Sequence, residues 1–591
     1  MATLSPPPKL QFFDANGVPL VGGKLYSYAA GTTTPLATYT SAAETAFNTN
    51  PIILNSRGEA EVWLGSPSYK FKLTTAADVE IWTVDNITSL AGLDASIKAY
   101  FSASAGSSRV GFIAAGGGAI ARTAQDKMRD TVSVKDFGAI GNGATDDTAA
   151  IQAAINSGAL AIYFPATASG YRVTSKITVS ASNQTLYGDG KYSSYINLAS
   201  HSFDVFELTA VGNVTIRDLG AINFGAASSG FFVNAAPTYN VTLENLYTNN
   251  LHSGAVFGTT GSSLGGARSM VKGCLFNDIA KLTGYGIIKR GTSEIFDVID
   301  CQIGRLGSII AADNAAGGIL IEGGVAINLE NLQIIGAGNN LLIQPNADNV
   351  SHLTLDRVWC DSSSNSALFI NAVSGIVTDL RAVQCWFVYT GGDGVRIAGN
   401  ARDVKIAGNN QIITNLGAGI NVVAGATVPG LSIQNNSIGN NTGNGITIGA
   451  GASNFAIQNN QIGTGSFFGP NANGIVLSAG ATDNFIITDN NVRGNTGAAI
   501  SNAATGTNAR IESNLGYNPV GIFGITVTAS PFTYTAGASP ETVFINAGTV
   551  SLVTVNGVGV FQQTNCTVRL EPFQSVVVTY TVAPGMTRSI S

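Results

Sequence analysis

The stretch from Ile420 to Leu477 opens as Ile420-Asn421-Val422, returns as Ile446-Thr447-Ile448, and returns again as Ile475-Val476-Leu477. Working outward, the first apolar position recurs as Ile319, Leu341, Leu368, Val395, Ile420, Ile446, Ile475 and Ile500, in steps close to 26 residues. Two residues on, a second series gives Ile321, Ile343, Ile370, Ile397, Val422, Ile448 and Leu477, and only Asn502 breaks it. The residue between is free to vary: Leu320, Leu342, Phe369, Arg396, Asn421, Thr447, Val476, Ser501. Alternation within a strand sends one set inward and the other outward. Repetition of that strand at one period means stacked coils sharing a core. The expected fold is all-β: a right-handed parallel β-helix of about 13 coils, a rod of about 60 Å at one strand spacing per coil.

The chain has 591 residues, 71 of them Gly, and only 11% are charged, well short of an ordinary soluble domain. A neutral polar surface rich in Asn, Thr and Ser is the reading that fits. The net charge of −6 and the lack of a Lys/Arg cluster argue against nucleic acid as a partner. Val110 to Ala121 is short and broken by Gly116-Gly117-Gly118, so no membrane insertion is expected, and the opening residues contain no secretion signal. The Gly run lacks the strand and Lys of a phosphate loop. His201, His252 and His352 are isolated and no CxxC spacing occurs, so neither metal nor cofactor is expected. Cys274 and Cys301, and Cys360 and Cys385, are spaced to share columns in adjacent coils; free core thiols are the expected state.

Residues 1–90 read as a compact β domain and 91–130 as a helical neck. Residues 131–515 read as the β-helix, opened by an amphipathic helix with its N-cap at Thr145 or Asp146, and 516–591 as a C-terminal β domain. The adjacent Asp146 and Asp147 are read as capping rather than catalytic. Asn-rich corners recur at Asn409-Asn410, Asn435-Asn436, Asn459-Asn460 and Asp489-Asn490. Asn tolerates a left-handed corner, and stacked Asn side chains can hydrogen-bond along the axis.

This order of parts resembles the tailspikes of short-tailed bacteriophages. Gly23-Lys24-Leu25-Tyr26 with Asn50-Pro51-Ile52-Ile53-Leu54-Asn55 and Gly58 is similar to their head-binding domain. Val132 to Ile155 is similar to the opening of pectate-lyase-like β-helices in phage spikes, where the helix plugs the end of the stack. The run Gly516 to Gly521 is similar to the exit from such a helix. The resemblance implies a homotrimer and a virion tail appendage assembled in the host cytoplasm. Residues 1–90 would meet phage tail or portal-adaptor proteins, and the β-helix would bind, and in many members cleave, a bacterial surface polysaccharide. It transfers no catalytic residues.

Aligning Leu329, Leu355 and Leu380 as equivalent inward positions sets Glu330, Asp356 and Arg381 in one outward column. Gln333, Trp359 and Gln384 form a second, and Ile335, Asp361 and Trp386 a third. Trp359 and Trp386 offer faces to the C–H side of a sugar ring, while Gln333, Gln384 and Arg381 offer partners to its hydroxyls. Glycosidic hydrolysis needs two carboxylates about the bond. The candidates are Asp361, Glu322, Asp356 and Glu330, with Glu322 beneath Gln344 and Asn371 and with Asp313 in the turn before it. Glu330 and Asp356, one coil apart, are expected to be close enough to raise one pKa. The alternatives to a depolymerase are a receptor-binding tail fibre or structural stalk without activity, a polysaccharide lyase, and a secreted pectin-degrading enzyme. The stalk reading is favoured for the coils between Asp403 and Asp483, which hold no carboxylate.

Overall fold

The computed structural model describes the chain except residues 1–2, 5–8, 89, 263–265, 278, 280–283, 305–316, 466–468, 481, 519–520 and 591. It divides into two compact units, Met1–Asp130 and Thr131–Ser591. In the first, strands Ile52–Ile53, Lys24–Ala29, Tyr69–Thr74 and Glu80–Ile87 lie side by side in an antiparallel sheet. Leu25, Val62, Leu64, Tyr69, Phe71 and Leu73 close its core. Asp78 ties this sheet by accepting from Lys24 Nζ and from Tyr26 Oη (2.6 Å). A helix, Leu90–Ser102, and a short helix, Ala124–Met128, capped reciprocally by Thr123 and Asp126, complete the unit.

In the second unit, 37 strands among the described residues form one parallel sheet wound on itself, about 13 turns in all. Through most of the stack each strand pairs with the third one after it, so a coil has three faces. The first face carries both apolar series in unbroken register, from Ile319↔Leu341 to Ile475↔Ile500 and from Ile321↔Ile343 to Leu477↔Asn502. Ile397, Val422 and Ile448 are fully buried. Each such side chain contributes about 1.5–3 kcal/mol of burial. One rung before Ile321 the second series meets Lys289, an inward lysine with no exposure. Its Nζ donates to Arg290 O (2.6 Å) and Ser293 Oγ (2.8 Å). Burial pushes the ammonium down to about 8, with Asp348 acting against it.

The helix Thr148–Ile155 buries Ile151, Ala154 and Ile155 in the same core. Gln152 exchanges hydrogen bonds with the backbone of Thr178, substituting for a strand the first coil lacks. The cap falls later than the sequence suggested, at Asp147. The Asp147 carboxylate turns back to accept from Ile140 N (2.7 Å) and Gly141 N (3.1 Å), leaving Asp146 to accept from Thr148 N (3.0 Å). Both aspartates are thus committed to backbone.

Two corners of the later coils carry buried amide ladders. Asn410, Asn436, Asn460, Asn490 and Asn514 each donate from Nδ2 to the next, closing on Asn518. Asn415, Asn441, Asn471 and Asn495 form a second. Each amide also serves a backbone group, such as Asn436 Nδ2 to Ile406 O (2.8 Å). A buried polar side chain is tolerable only when satisfied in this way. The first ladder continues, rung for rung, a column that upstream reads Leu246, Cys274, Cys301, Leu332, Val358 and Cys385.

Cys274 and Cys301 therefore do stack. Cys360 and Cys385 do not: Trp359 pairs with Trp386, so Cys385 lies opposite Val358 and Cys360 opposite Phe387. All five cysteines are free and buried. Past the coils, two four-stranded antiparallel sheets enclose Val543, Ile545, Val553, Leu570, Val576 and Val578. They join the last coil through Ile511 N to Ala538 O (2.9 Å) and Asn518 Nδ2 to Ser539 Oγ (2.8 Å).

Candidate functional site

The corner between the second and third faces is built from residues of positive φ. From Asp218 through Asn245, Gly273, Asp300 and Asn331 to Asn409, Asn435, Asn459 and Asp489, nearly every rung is Asp, Asn or Gly. These are the residues that take a left-handed conformation most cheaply. Two rungs break the rule, Arg357 (φ 54°) and Gln384 (φ 54°). Each stands two residues before a tryptophan. A long side chain at a corner that disfavours it is a place where chemistry has outweighed backbone ease.

The outward column after this corner runs Tyr247, Leu275, Gln302, Gln333, Trp359, Trp386, Gln411, Ser437 and Gln461. Trp359 and Trp386 are therefore register partners, with ring centroids 5.0 Å apart and planes tilted by 53°. Each is 39% exposed. Beside Trp359 the corner opens into a cleft of about 450 Å³. Gly273, Asp300, Asn331 and Arg357 line its corner side, and Leu275, Gln302 and Gln333 its strand side. Lys191 reaches in from an earlier coil, its Nζ 3.3 Å from Gly273 O. Asn331 Nδ2 holds Asp300 Oδ1 at 2.6 Å. The cleft thus offers two cations, a carboxylate, several amides and an indole face.

The structure moves three of the sequence-derived placements. Leu355 pairs with Ala382, and Leu380 with Leu353, a slip of two residues from the expected alignment. Leu353 and Leu355 both face inward, and a two-residue slip keeps every side chain on its own face, so alternation alone could not detect it. Arg381 consequently leaves the Glu330–Asp356 column, whose next member is Val383, and stands above Thr354 and below Lys405. Gln384 sits at the corner instead of in the Trp359 column, and Trp386 takes that column, leaving Val388 above Asp361.

The four candidate acids are not gathered at one point. Glu330 and Asp356 are adjacent on the second face, as register demands. Arg357 bridges them, Nη2 to Glu330 (2.5 Å) and Nη1 to Asp356 (2.8 Å), so a cation lies where like-charge repulsion was expected. Glu322 ends the first face, ion-paired with Arg290, while Asn371 Nδ2 bonds Gln344 Oε1 (3.0 Å) above it. Asp361 ends the third face, two residues past Trp359, and accepts from Ser362 Oγ (2.7 Å). Asp313 lies outside the described residues.

Sequence reading missed Lys191, Asp300, Gln302 and Arg357, and it missed Asp297. Asp297 stands one coil before Asn328 on the second face. Burial first, and the neighbouring Glu330 charge second, push its carboxyl above the ordinary range. The signal available for Arg357 was its place in a column of Asn, Asp and Gly. Lys191, 82 residues from its contact, gave none. Among the described residues no cluster of three His, Cys, Asp or Glu side chains could hold a metal ion, and no helix is long and apolar enough to cross a membrane.

A family model described as rhamnogalacturonase A/epimerase, pectate lyase-like, matches residues 131–229. No curated protein matches the sequence. The tailspike of Escherichia coli bacteriophage HK620, solved with a pentasaccharide, is similar at a TM-score of 0.54 and 14% identity, covering 84% of this chain and 99% of that one. A mutant of the same tailspike, solved with a hexasaccharide, gives a TM-score of 0.53 at the same identity and coverage. In fold, this chain is a right-handed parallel β-helix similar to that of the HK620 tailspike, and its opening residues are similar to the pectate-lyase-like family.

Proposed function

We propose that this protein is a phage tailspike or tail fibre that recognises a polysaccharide of the bacterial surface. The glycan lies along the corner cleft and the tryptophan column, with residues 1–90 attaching to the tail or portal adaptor and three copies forming the working assembly. The observation that carries the reading is the pair of half-exposed indoles, Trp359 and Trp386, stacked beside a cleft lined with amides and charges. Indole faces take the C–H side of a pyranose while Gln302, Gln333, Gln384 and Asn331 exchange hydrogen bonds with its hydroxyls. The oligosaccharide complexes of the HK620 tailspike, a protein of like fold, support it.

The test is titration of the protein with capsule or lipopolysaccharide fragments, following tryptophan fluorescence. Saturable quenching that is lost in Trp359→Ala agrees with the reading. Full binding by that variant together with Trp386→Ala contradicts it.

Cleavage by carboxylate acid/base chemistry is a second reading, favoured by the environments of Asp297 and Glu330. One holds its proton more firmly than an ordinary carboxyl, and the other is paired with Arg357. Such a division is the pattern of a general acid beside an ionised partner. Their backbones are diagonal neighbours, about 8 Å apart by strand geometry, so the two carboxyls can flank one glycosidic bond. Asp361, Asp356 and Glu322 stay as the other carboxylates for this role, and Arg381 as a further contact. New reducing ends from the wild type, abolished in Asp297→Asn, support hydrolysis. Unsaturated products point to a lyase, and no products leave a binding appendage.

A further inference from the structure

Beneath the cleft lies a pair of groups that glycan binding does not use. Cys274 and Cys301 occupy successive rungs of one inward column, fixed by the pairing of Leu275 with Gln302 and of Phe276 with Ile303. Cys274 N donates to Cys301 Sγ at 3.4 Å, while the Cys274 thiol donates to Lys272 O at 3.4 Å. One rung separates their Cα atoms by about 4.8 Å, inside the roughly 4.4–6.8 Å that a disulfide spans. The other rungs of this column, Leu246, Leu332 and Val358, show that the core needs only an apolar side chain here. Both residues border the cleft, but they are only 2% and 3% exposed, so a small solute reaches their sulfurs when the wall opens locally.

We propose that Cys274 and Cys301 are an oxidisable pair that closes into a disulfide between neighbouring coils when a peroxide enters the cleft. Cys301 reacts first, because the backbone N–H of Cys274 donates to its sulfur and favours the thiolate. The thiolate attacks one oxygen of hydrogen peroxide, forming a sulfenic acid and releasing hydroxide, which takes up a proton. The sulfur of Cys274 then attacks that of Cys301, its proton leaves with the displaced hydroxyl as water, and the Sγ–Sγ bond forms. In sum two thiols and one peroxide give one disulfide and two waters. Cys360 and Cys385 provide an internal control, since they too are buried but are offset in register.

The full chain is treated with hydrogen peroxide under native conditions, then denatured, alkylated, digested and weighed. The expected product is a peptide pair joined through Cys274 and Cys301, two hydrogens lighter than the sum of its parts, with Cys360 and Cys385 alkylated. Oxidation also raises the unfolding midpoint by a few °C, a gain reversed by dithiothreitol and absent from Cys301→Ser. Alkylation of all five cysteines after treatment, or a sulfinic acid at Cys301 with Cys274 still free, overturns the proposal. If Cys301→Ser does not fold, the wild-type masses decide alone.

Discussion

The coils from Glu244 to Val388 and those from Val404 to Leu515 share one inward ladder yet solve their surfaces in opposite ways. The earlier set places Asp300, Asn331, Arg357 and Gln384 along the corner, tryptophans beside it, and thiols and leucines beneath it. The later set places Asn at the corner and Asn again beneath it, in two buried ladders, and has no carboxylate between Asp403 and Asp483. Where every rung repeats the cheapest solution for a left-handed corner, the backbone is what the residues serve. Where the repeat is broken by long polar and aromatic side chains, a ligand is what we propose they serve. The later coils read as a rail, the earlier ones as a site.

The strongest way to break this contrast is to cut the rail. Asn436→Val removes the partner of Ile406 O and one bond of Asn410, and is expected to cost about 3 kcal/mol of stability, at about 1–3 kcal/mol per orphaned group. Denaturant unfolding checks it, and glycan affinity should not change. A comparable effect comes from acid in the earlier coils. His201 is fully buried, accepts from His252 N at Nδ1 (2.9 Å), and is pushed down by burial to about 4. The unfolded ring binds its proton first, so stability is intact above pH 6.5 and falls as pH drops toward 4. The loss is about 3 kcal/mol, measured as the difference between wild type and His201→Gln across that window.

Smaller in energy but sharper in meaning is Trp359→Ala, expected to weaken glycan binding at least tenfold, about 1.4 kcal/mol, while leaving the rail intact. The smallest effect on stability belongs to Arg357→Asn. Relief of the left-handed strain, about 1 kcal/mol, offsets two partly exposed ion pairs worth about 0–1 kcal/mol each. Affinity for the glycan should still fall severalfold, because the variant keeps the corner and loses the guanidinium. A variant that instead lost stability and kept affinity would make Arg357 a structural residue.

The inward ladder was legible in the sequence because burial on one face repeats at a fixed period, and every rung from Ile319 to Ile500 falls where alternation puts it, while Asn502 keeps the register but stands exposed. The outward columns were legible only to within two residues. Leu353 and Leu355 are interchangeable to a pattern of apolar residues, and Ala382 is too small to announce itself as the partner of Leu355. Arg381, Gln384 and Trp386 were displaced by that ambiguity. Below Ile319 the pattern faded for a different reason, since Lys289 occupies an inward rung and owes its place to Ser293 and backbone oxygen. Lys191 was invisible because the contact that brings it to the cleft joins coils far apart in the chain.

The most direct test of the account is a crystal structure of the protein soaked with oligosaccharides cut from bacterial surface polysaccharides. The account predicts sugar rings against Trp359 and Trp386, with hydroxyls reaching Gln302, Gln333 and Asn331 in the corner cleft. Sugar bound only along the Asn-rich coils, or only on the C-terminal sheets, with that cleft empty, would contradict it.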